Sequence, residues 1–483
     1  MERIGTDAAM VEETVDVAVV GAGVVGAALA REFAGRGASV ALVEARPDVG
    51  DVTSKANTAI LHTGFDAKPG TVESRLVRRG YDLLTAYASR AGIPVEVPGA
   101  LLVAWTDEQL AALPSLAERA EANGYTRTRL VDTEELYRRE PHLGPGALGA
   151  LSVPDEGIIC PWTTTLAYAT EAVRNGARLL LETSVTGAEV TDSHVVLATT
   201  RGPLRARHVV NAAGLGSDTV HAMFGLSGFH VTPRRGQLIV FDKMARPLVG
   251  SILLPVPTAM GKGVLVAPTV YGNVMLGPTA EDLEDRTDTG STRDGLHDLR
   301  EKGRRIVPDL IEEEVTTVYA GLRAATEHAD YQISFHPEKR YACVGGIRST
   351  GLTGSLAIAE YVAEELTERM GLARRSAEPG DPPRMPYIGE AGTRPYADAG
   401  RIAADPSYGE IVCFCERVSR GEIRDALASD IPPRAVEGLR RRTRATMGRC
   451  QGFYCGAEVR NLLDHGTESP AGQDAFADRE EKK

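Results

Sequence analysis

Residues 15–45 read VDVAVVGAGVVGAALAREFAGRGASVALVEA, and this stretch decides the fold. Val15 to Val20 is a short apolar run rich in β-branched residues, which predicts a buried strand. The turn Gly21-Ala22-Gly23-Val24-Val25-Gly26 follows. A helical pattern then runs to about Gly35, and a second strand is expected from Val40 to Glu44. In such a βαβ unit Gly21 permits the tight turn, Gly23 lets the backbone approach a pyrophosphate, and Gly26 allows close packing of helix on sheet. The phosphates then sit at the positive N-terminus of the helix. Glu44 stands 18 residues past Gly26, where an acid accepts hydrogen bonds from ribose hydroxyls. The pattern defines a dinucleotide site and fits FAD and NAD alike.

At 483 residues, 43% of them hydrophobic, the chain can bury a substantial core in two or three domains. A formal net charge of -12 argues against a general nucleic-acid or anionic-membrane surface, so an anionic ligand must be held by a local group of arginines. No run approaches the roughly 20 apolar residues that span a bilayer. The leading stretch MERIGTDAAMVEETVD lacks the apolar segment of a signal peptide. These features predict a cytoplasmic protein without a transmembrane segment, one that would reach a membrane only through a partner.

Further along, helices are expected near Glu73–Ala91, Glu108–Asn123 and Thr163–Asn175, and strands over Val185–Thr199 and Ala206–Val210. Between about Val231 and Gly277, the runs GQLIVF, GVLVAP and NVMLGP are punctuated by Gly and Pro. They predict antiparallel strands of a second domain that roofs a substrate pocket. The segment YACVGGIRSTGLTGSLAIAEYVAEEL reads as a strand, a Gly-rich turn and an amphipathic helix. Residues 374–407 are then rich in Pro, Gly, Ala and Asp without periodicity, and read as a linker or wrapping arm.

Three distant segments resemble the FAD-contacting pieces of the D-amino-acid oxidase and glycerol-3-phosphate dehydrogenase superfamily. They are residues 15–45, ARHVVNAAGLGSD and VGGIRSTGLTGSLAIAE, in the order that family uses, and the resemblance spans roughly residues 14–370. It implies that the dinucleotide is FAD. By position, Val185 would meet the adenine through its backbone, and Ala213 and Gly214 would pass close to the dinucleotide. Gly346 to Thr353, with Ile347, Gly351 and Leu352 among them, would line the flavin ring, where backbone N–H groups stabilise negative charge. The implied fold is an α/β, Rossmann-like FAD-binding domain built from residues 14–90, 150–230 and 325–370. An inserted antiparallel-sheet (α+β) substrate domain would take 91–149 and 231–324, with a linker over 371–406.

TSKANTAILHTGFDAKPGTVESRLVRRG, residues 53–80, resembles the flavin-facing stretch of glycerol-3-phosphate and L-2-hydroxyglutarate dehydrogenases, with its S-x-x-N and H-x-G pattern. The resemblance assigns Ser54, Asn57, His62 and Gly64 to the flavin's neighbourhood. Oxidising a secondary alcohol requires hydride transfer and removal of the hydroxyl proton, and a histidine suits the second task. His62 is therefore the candidate base, with a structural histidine under the flavin as the other reading. A planar guanidinium grips a carboxylate or phosphate through two hydrogen bonds. Arg323 in YAGLRAAT and Arg348 in GGIRSTGLTG are the candidates for that role. Lys262 is a weaker candidate, and Arg234 and Arg235 are expected to be structural. Asp66, Ala67, Lys68 and Pro69 depart from the respiratory glycerol-3-phosphate enzymes and look more like the hydroxyglutarate branch, whereas GKGVLVAPTVYGNVMLGPTAED looks closer to the anaerobic type.

Cys413-x-Cys415, 34 intervening residues and Cys450-x4-Cys455 supply four thiolates, enough for one zinc or one [2Fe-2S] cluster. The text IVCFCERVSRGEIRDAL and LRRRTRATMGRCQGFYC is very similar to the bacterioferritin-associated-ferredoxin-like [2Fe-2S] domain of anaerobic-type glycerol-3-phosphate dehydrogenase subunits. That implies a small α-rich [2Fe-2S] domain over 407–466, with a disordered charged tail over 467–483. Most of Arg440, Arg441, Arg442, Arg444 and Arg449 are expected on a solvated helix face; the alternative is that they offset the cluster's charge or dock an acidic partner. The leading expectation is an FAD- and [2Fe-2S]-dependent dehydrogenase of a small anionic 2-hydroxy compound, glycerol 3-phosphate first and L-2-hydroxyglutarate second. Its electrons would leave through the cluster to a one-electron acceptor or a partner electron-transfer subunit, which would make a hetero-oligomer. Opine or amino-acid oxidation, and a role as a non-catalytic scaffold, are the alternatives.

Overall fold

The computed structural model describes residues 14–257, 263–372 and 380–466; Lys262 and the segment 467–483 lie outside the described residues. The chain divides into two compact units, Met1–Ala391 and Gly392–Lys483.

In the first unit β1 (Val15–Val20) is buried throughout and leads into α1 (Val24–Gly35) and β2 (Val40–Val43). Strands β1 and β2 run parallel, Val17 opposite Val40 to Val20 opposite Val43. On the other side of β1 lies β3 (Leu204–Asn211), also parallel, with Val15 opposite Ala206 and Val20 opposite Asn211. A strand over Val195–Thr199 pairs antiparallel with the first half of β3, so the alternating run after Val185 is a hairpin and not one strand. Because the sheet is buried on both faces at its centre, its central strands are continuous apolar runs.

The long paired strands of the second sheet are β4 (Thr232–Phe241) and β5 (Val315–Ala325). They run antiparallel from Thr232 opposite Ala325 to Val240 opposite Thr317. The sheet continues through strands at 274–277, 265–268 and 252–255 to those at 100–104 and 149–153, which joins both expected pieces of the substrate domain. One pair departs from the antiparallel pattern: Ile252–Pro255 runs parallel to Ala100–Val103. Leu101, Ile239, Phe241, Val266 and Leu276 pack into one core beneath this sheet. The chain then returns to the first sheet at β6 (Tyr341–Gly345), parallel to the end of β3.

Helices α2 (Val72–Ala91), α3 (Pro161–Arg174) and α4 (Gly351–Met370) pack together with α1 in this unit. Helix α1 packs against both α3 and α4, and α4 against α2. Ala27, Ala28, Ala30 and Ala34 are buried on α1 and keep it thin enough for that approach, while burial of Leu29 and Phe33 adds roughly 1.5–3 kcal/mol each. Gly80 on α2 is equally constrained, since a Cβ there would lie 2.3 Å from the Thr353 carbonyl oxygen. Part of the Pro- and Gly-rich segment wraps this unit. The Met385 N–H donates to Ala91 O at 2.7 Å, the Glu390 N–H donates to Val270 O at 2.9 Å, and Ile388 is buried.

The second unit begins within the stretch read as a linker. Residues 399–404 are helical, and Arg394 is buried with its guanidinium 3.1 Å from Glu422. A short hairpin, Ile411–Cys413 with Val418–Ser419, leads into α5 (Arg420–Leu427), α6 (Val436–Thr443) and α7 (Gly456–His465). Ser419 and Glu422 form a reciprocal capping box at the start of α5. The expected solvated arginine face is overturned: Arg441, Arg442 and Arg444 are buried, and of the five only Arg449 is exposed. Arg442 donates to the carbonyls of Ile431 and Gly438, and Arg444 lies 2.8 Å from Glu416. A buried guanidinium is stable when its donors meet carbonyls and a carboxylate, and of those partners Ile431 and Glu416 lie outside the helix.

Candidate functional site

A cavity of about 1030 Å³ opens in the first unit where the C-terminal ends of β1, β2, β3 and β6 meet the second sheet. Ligands of open α/β sheets bind outside these strand ends. Gly21 and Gly23 line it, and Gly21 must lack a side chain. Gly21 has φ +101, and a Cβ would stand 2.6 Å from Ala212 O; at Gly23 a Cβ would crowd Ser54 Oγ at 3.2 Å. Gly26 does not reach the cavity. Its place is against the turn, since a Cβ there would meet Gly21 O at 1.8 Å.

Glu44, at the end of β2, accepts from the Ala22 N–H through Oε2 at 2.7 Å and from the Arg46 N–H through Oε1 at 2.8 Å. Its orientation is therefore fixed toward the glycine turn, and burial pushes its carboxyl pKa up. Val185, Ala213 and Gly214 lie on the same cavity wall. Ser54 Oγ accepts from the Val24 N–H at 2.9 Å, so a residue of the next loop caps the N-terminus of α1. Asn57 braces that loop, donating to Ser54 O at 2.9 Å and accepting from the Ala59 N–H at 2.8 Å.

His62, Arg323, Arg348, Gly346, Ile347, Gly351 and Leu352 line the remainder of the cavity. Thr353 is buried behind it, where its Oγ1 accepts from the His62 N–H at 3.0 Å. The His62 Nδ1 lies 3.2 Å from Glu156 Oε2. Glu156 has no exposed surface, and its Oε1 accepts from both the Thr63 N–H and the Thr63 Oγ1–H at 2.7 Å. Nothing in the sequence marks this acid, which is 94 residues from His62; it is found only through strand pairing. Arg348 donates to Ala329 O at 2.5 Å and lies 3.8 Å from Glu73.

Arg323 differs from its neighbours. It sits on β5 directly opposite Arg234 of β4. Arg234 is paired with Asp282 at 2.5 Å, and the buried Arg235 with Glu281 and Asp288. Among the described residues no carboxylate pairs with Arg323, whose pKa is lowered by burial and then by Arg234. Gly236 leaves room for its guanidinium, because a Cβ there would stand 2.9 Å from Arg323 Nη2.

In the second unit the four cysteine thiols lie close enough to act on one another, Cys415 with Cys450 and Cys413, and Cys455 with Cys413 and Cys450. Among the described residues no three His, Cys, Asp or Glu side chains converge as a single-ion site. Four thiolates, two for each of two irons, are the donor set of a [2Fe-2S] cluster. The backbone N–H groups of Tyr454, Gly452 and Phe453 hold the Cys450 thiol below its usual range.

A glycine-rich pyrophosphate cradle, continuous with a pocket that holds a histidine and arginines, defines a dinucleotide-dependent oxidoreductase. The sequence profile of the FAD dependent oxidoreductase family matches residues 16–365, and the chain belongs to that family, with FAD as its cofactor. The BFD-like [2Fe-2S] binding domain matches residues 411–465, so the second unit carries an iron–sulfur cluster. The chain is 36% identical to a glycerol 3-phosphate dehydrogenase of Caloramator mitchellensis over 451 residues, covering 93% of each. It is 26% identical to a subunit of the anaerobic glycerol-3-phosphate dehydrogenase of Escherichia coli K12, over 93% of this chain and 88% of that one. Among solved structures it resembles the dithionite-reduced, FAD-bound L-α-glycerophosphate oxidase of Mycoplasma pneumoniae. The TM-score is 0.72 and the identity 28%, over 77% of this chain and 98% of that one.

Proposed function

We propose that the chain oxidises the secondary alcohol of glycerol 3-phosphate to the ketone and passes the electrons on through its iron–sulfur unit. The observation that carries this reading is Arg323, a largely buried guanidinium facing the cavity, opposite Arg234 and without a carboxylate of its own. Like charges directly opposite on a sheet are unfavourable, and an anion bound at Arg323 removes that cost. A phosphate monoester supplies two charges and several acceptor oxygens for it. The relatives named above for glycerol 3-phosphate support the same substrate.

Bound FAD supplies acceptance of a hydride from the carbinol carbon, and the bound [2Fe-2S] cluster supplies one-electron transfer. The protein's own residues hold the substrate and its proton. Arg323 would bind the phosphate, with Arg348 on the same wall as a second cation. His62 would take the hydroxyl proton as hydride leaves, because a neutral imidazole is available as a base near pH 7. Gly346 to Leu352 would present their backbone to the flavin at the start of α4, where N–H dipoles favour negative charge.

The acceptor is proposed to be a partner electron-transfer subunit, in keeping with a relative that itself belongs to a multi-subunit dehydrogenase. Among the described residues no helix is long and apolar enough to cross a membrane, so a membrane link would run through that partner.

Anaerobic spectroscopy tests the reading. Glycerol 3-phosphate is expected to bleach the flavin band within one turnover and then the cluster band. L-2-hydroxyglutarate, amino acids and opines should bleach either far more slowly. Rapid bleaching by one of these and none by glycerol 3-phosphate would reassign the substrate, and no bleaching by any would make the chain a non-catalytic carrier.

A further inference from the structure

We infer that Glu156 is a positioning residue for His62, holding the imidazole so that Nδ1 carries the proton and Nε2 is the nitrogen presented to the cavity. The inference rests on the reading of His62 as the base. The backbone brings the two residues together. A short strand over Gly157–Ile159 pairs antiparallel with Ile60–Leu61, with Ile158 opposite Ile60 and Gly157 opposite Leu61. One further step along that register sets Glu156 across from His62. Gly157 permits the approach, since a Cβ there would lie 3.1 Å from Glu96 O and 3.4 Å from Leu61 Cβ.

The carboxylate itself is fixed. Its Oε1 is held by the Thr63 N–H and Thr63 hydroxyl, both at 2.7 Å, which leaves Oε2 facing His62 Nδ1 at 3.2 Å. Glu156 has no exposed surface, and among the described residues His62 is the one cation-forming side chain within ion-pair distance of it. A carboxylate buried without a cation is unfavourable, and so is an imidazolium in a closed pocket. Each offsets the other once His62 is protonated. Since Nδ1 lies within ion-pair distance of the acid, Nε2 is left to accept the substrate's hydroxyl proton, and the negative charge behind the ring stabilises the imidazolium that results. Among the described residues the other charged groups around this corner include Arg78, which donates to Thr63 O at 3.2 Å, and Asp66, Lys68, Glu73, Arg323 and Arg348 on the cavity wall. The acid that stands at Nδ1 itself is Glu156.

The test uses the holoenzyme with its histidines labelled with nitrogen-15, the His62 signal being assigned by its loss in His62→Asn. In the wild type the neutral ring of His62 is expected to be the Nδ1–H tautomer. A wild-type ring found as the Nε2–H tautomer overturns the inference without any variant. Glu156→Gln keeps an acceptor for the Thr63 N–H and the size of the side chain. It is expected to lower the His62 pKa, to slow anaerobic flavin reduction by glycerol 3-phosphate about 100-fold, the scale of general-base catalysis, and to leave FAD content and substrate KM close to wild type. Glu156→Asp should recover part of the rate. A Glu156→Gln protein with wild-type His62 titration and wild-type reduction also overturns the inference. If instead His62→Asn reduces its flavin at the wild-type rate, the assignment of His62 as the base fails, and the tautomer measurement still decides whether Glu156 orients the ring.

Discussion

Arg323 bears two costs at once: it is largely desolvated, and it faces another arginine across the sheet. Both favour loss of its charge, and a bound anion reverses both. Replacing it with Ala is expected to raise the KM for glycerol 3-phosphate about 10- to 150-fold, the equivalent of the roughly 1.5–3 kcal/mol of a hydrogen bond to a charged group. Bound FAD per chain should stay at the wild-type level, and an unchanged KM would remove Arg323 from the substrate site. Gly236→Ala reaches the same guanidinium from the neighbouring strand of the cavity wall. The added methyl would lie 2.9 Å from both Arg323 Nη2 and Pro278 Cβ, so KM should rise by a smaller factor while kcat changes little. Arg323 is legible in the sequence because it sits in a short stretch with family character. Glu156 is not, because its role depends on a carboxylate being carried across a strand pairing, and no spacing rule reports that. The burial of Arg442 and Arg444 escapes the sequence for the same reason, since their partners Ile431 and Glu416 are set by the fold.

Glycines in turns, helices and strands alike limit what this scaffold accepts. The apolar run, the glycines and the helical period of residues 15–45 are all local, so that unit is legible throughout. The second sheet is legible as a set of strands but not in its order, because the parallel pairing of 252–255 with 100–103 joins segments about 150 residues apart. Gly21→Ala tests the turn that matters most. It forces an L side chain to φ +101 with its Cβ 2.6 Å from Ala212 O, so stability should fall by at least about 1 kcal/mol. Purified protein should show a lower melting temperature and a depleted flavin absorbance; full FAD content would mean that the turn can shift without loss of the site. Gly448 has the corresponding place in the second unit, where a Cβ would come within 2.3 Å of the Cys415 Cβ. Gly448→Ala should therefore lower iron and sulfide content while the flavin absorbance of the same preparation stays at the wild-type value.

At the scale of the whole molecule, a chain of two compact units carries one cofactor that takes electrons in pairs and another that takes them singly. The division predicts that the two halves of the reaction separate under mutation. Chemistry at the alcohol needs the cavity of the first unit, where His62 and Arg323 lie. Delivery of electrons needs the four cysteines of the second. Cys450→Ser removes one of those four thiolates, and a hydroxyl is a much poorer iron ligand at neutral pH. In that variant the electron paramagnetic resonance signal of the reduced cluster should vanish. Anaerobic bleaching of the flavin by glycerol 3-phosphate should still proceed within about twofold of the wild-type rate, since no residue of the cavity is altered. Steady-state turnover with a one-electron acceptor should then fall well below that rate, because reoxidation has lost its route. Should flavin bleaching disappear together with the cluster signal, the two units do not act independently, and the cluster would have to support the first unit's structure as well as its electron exit.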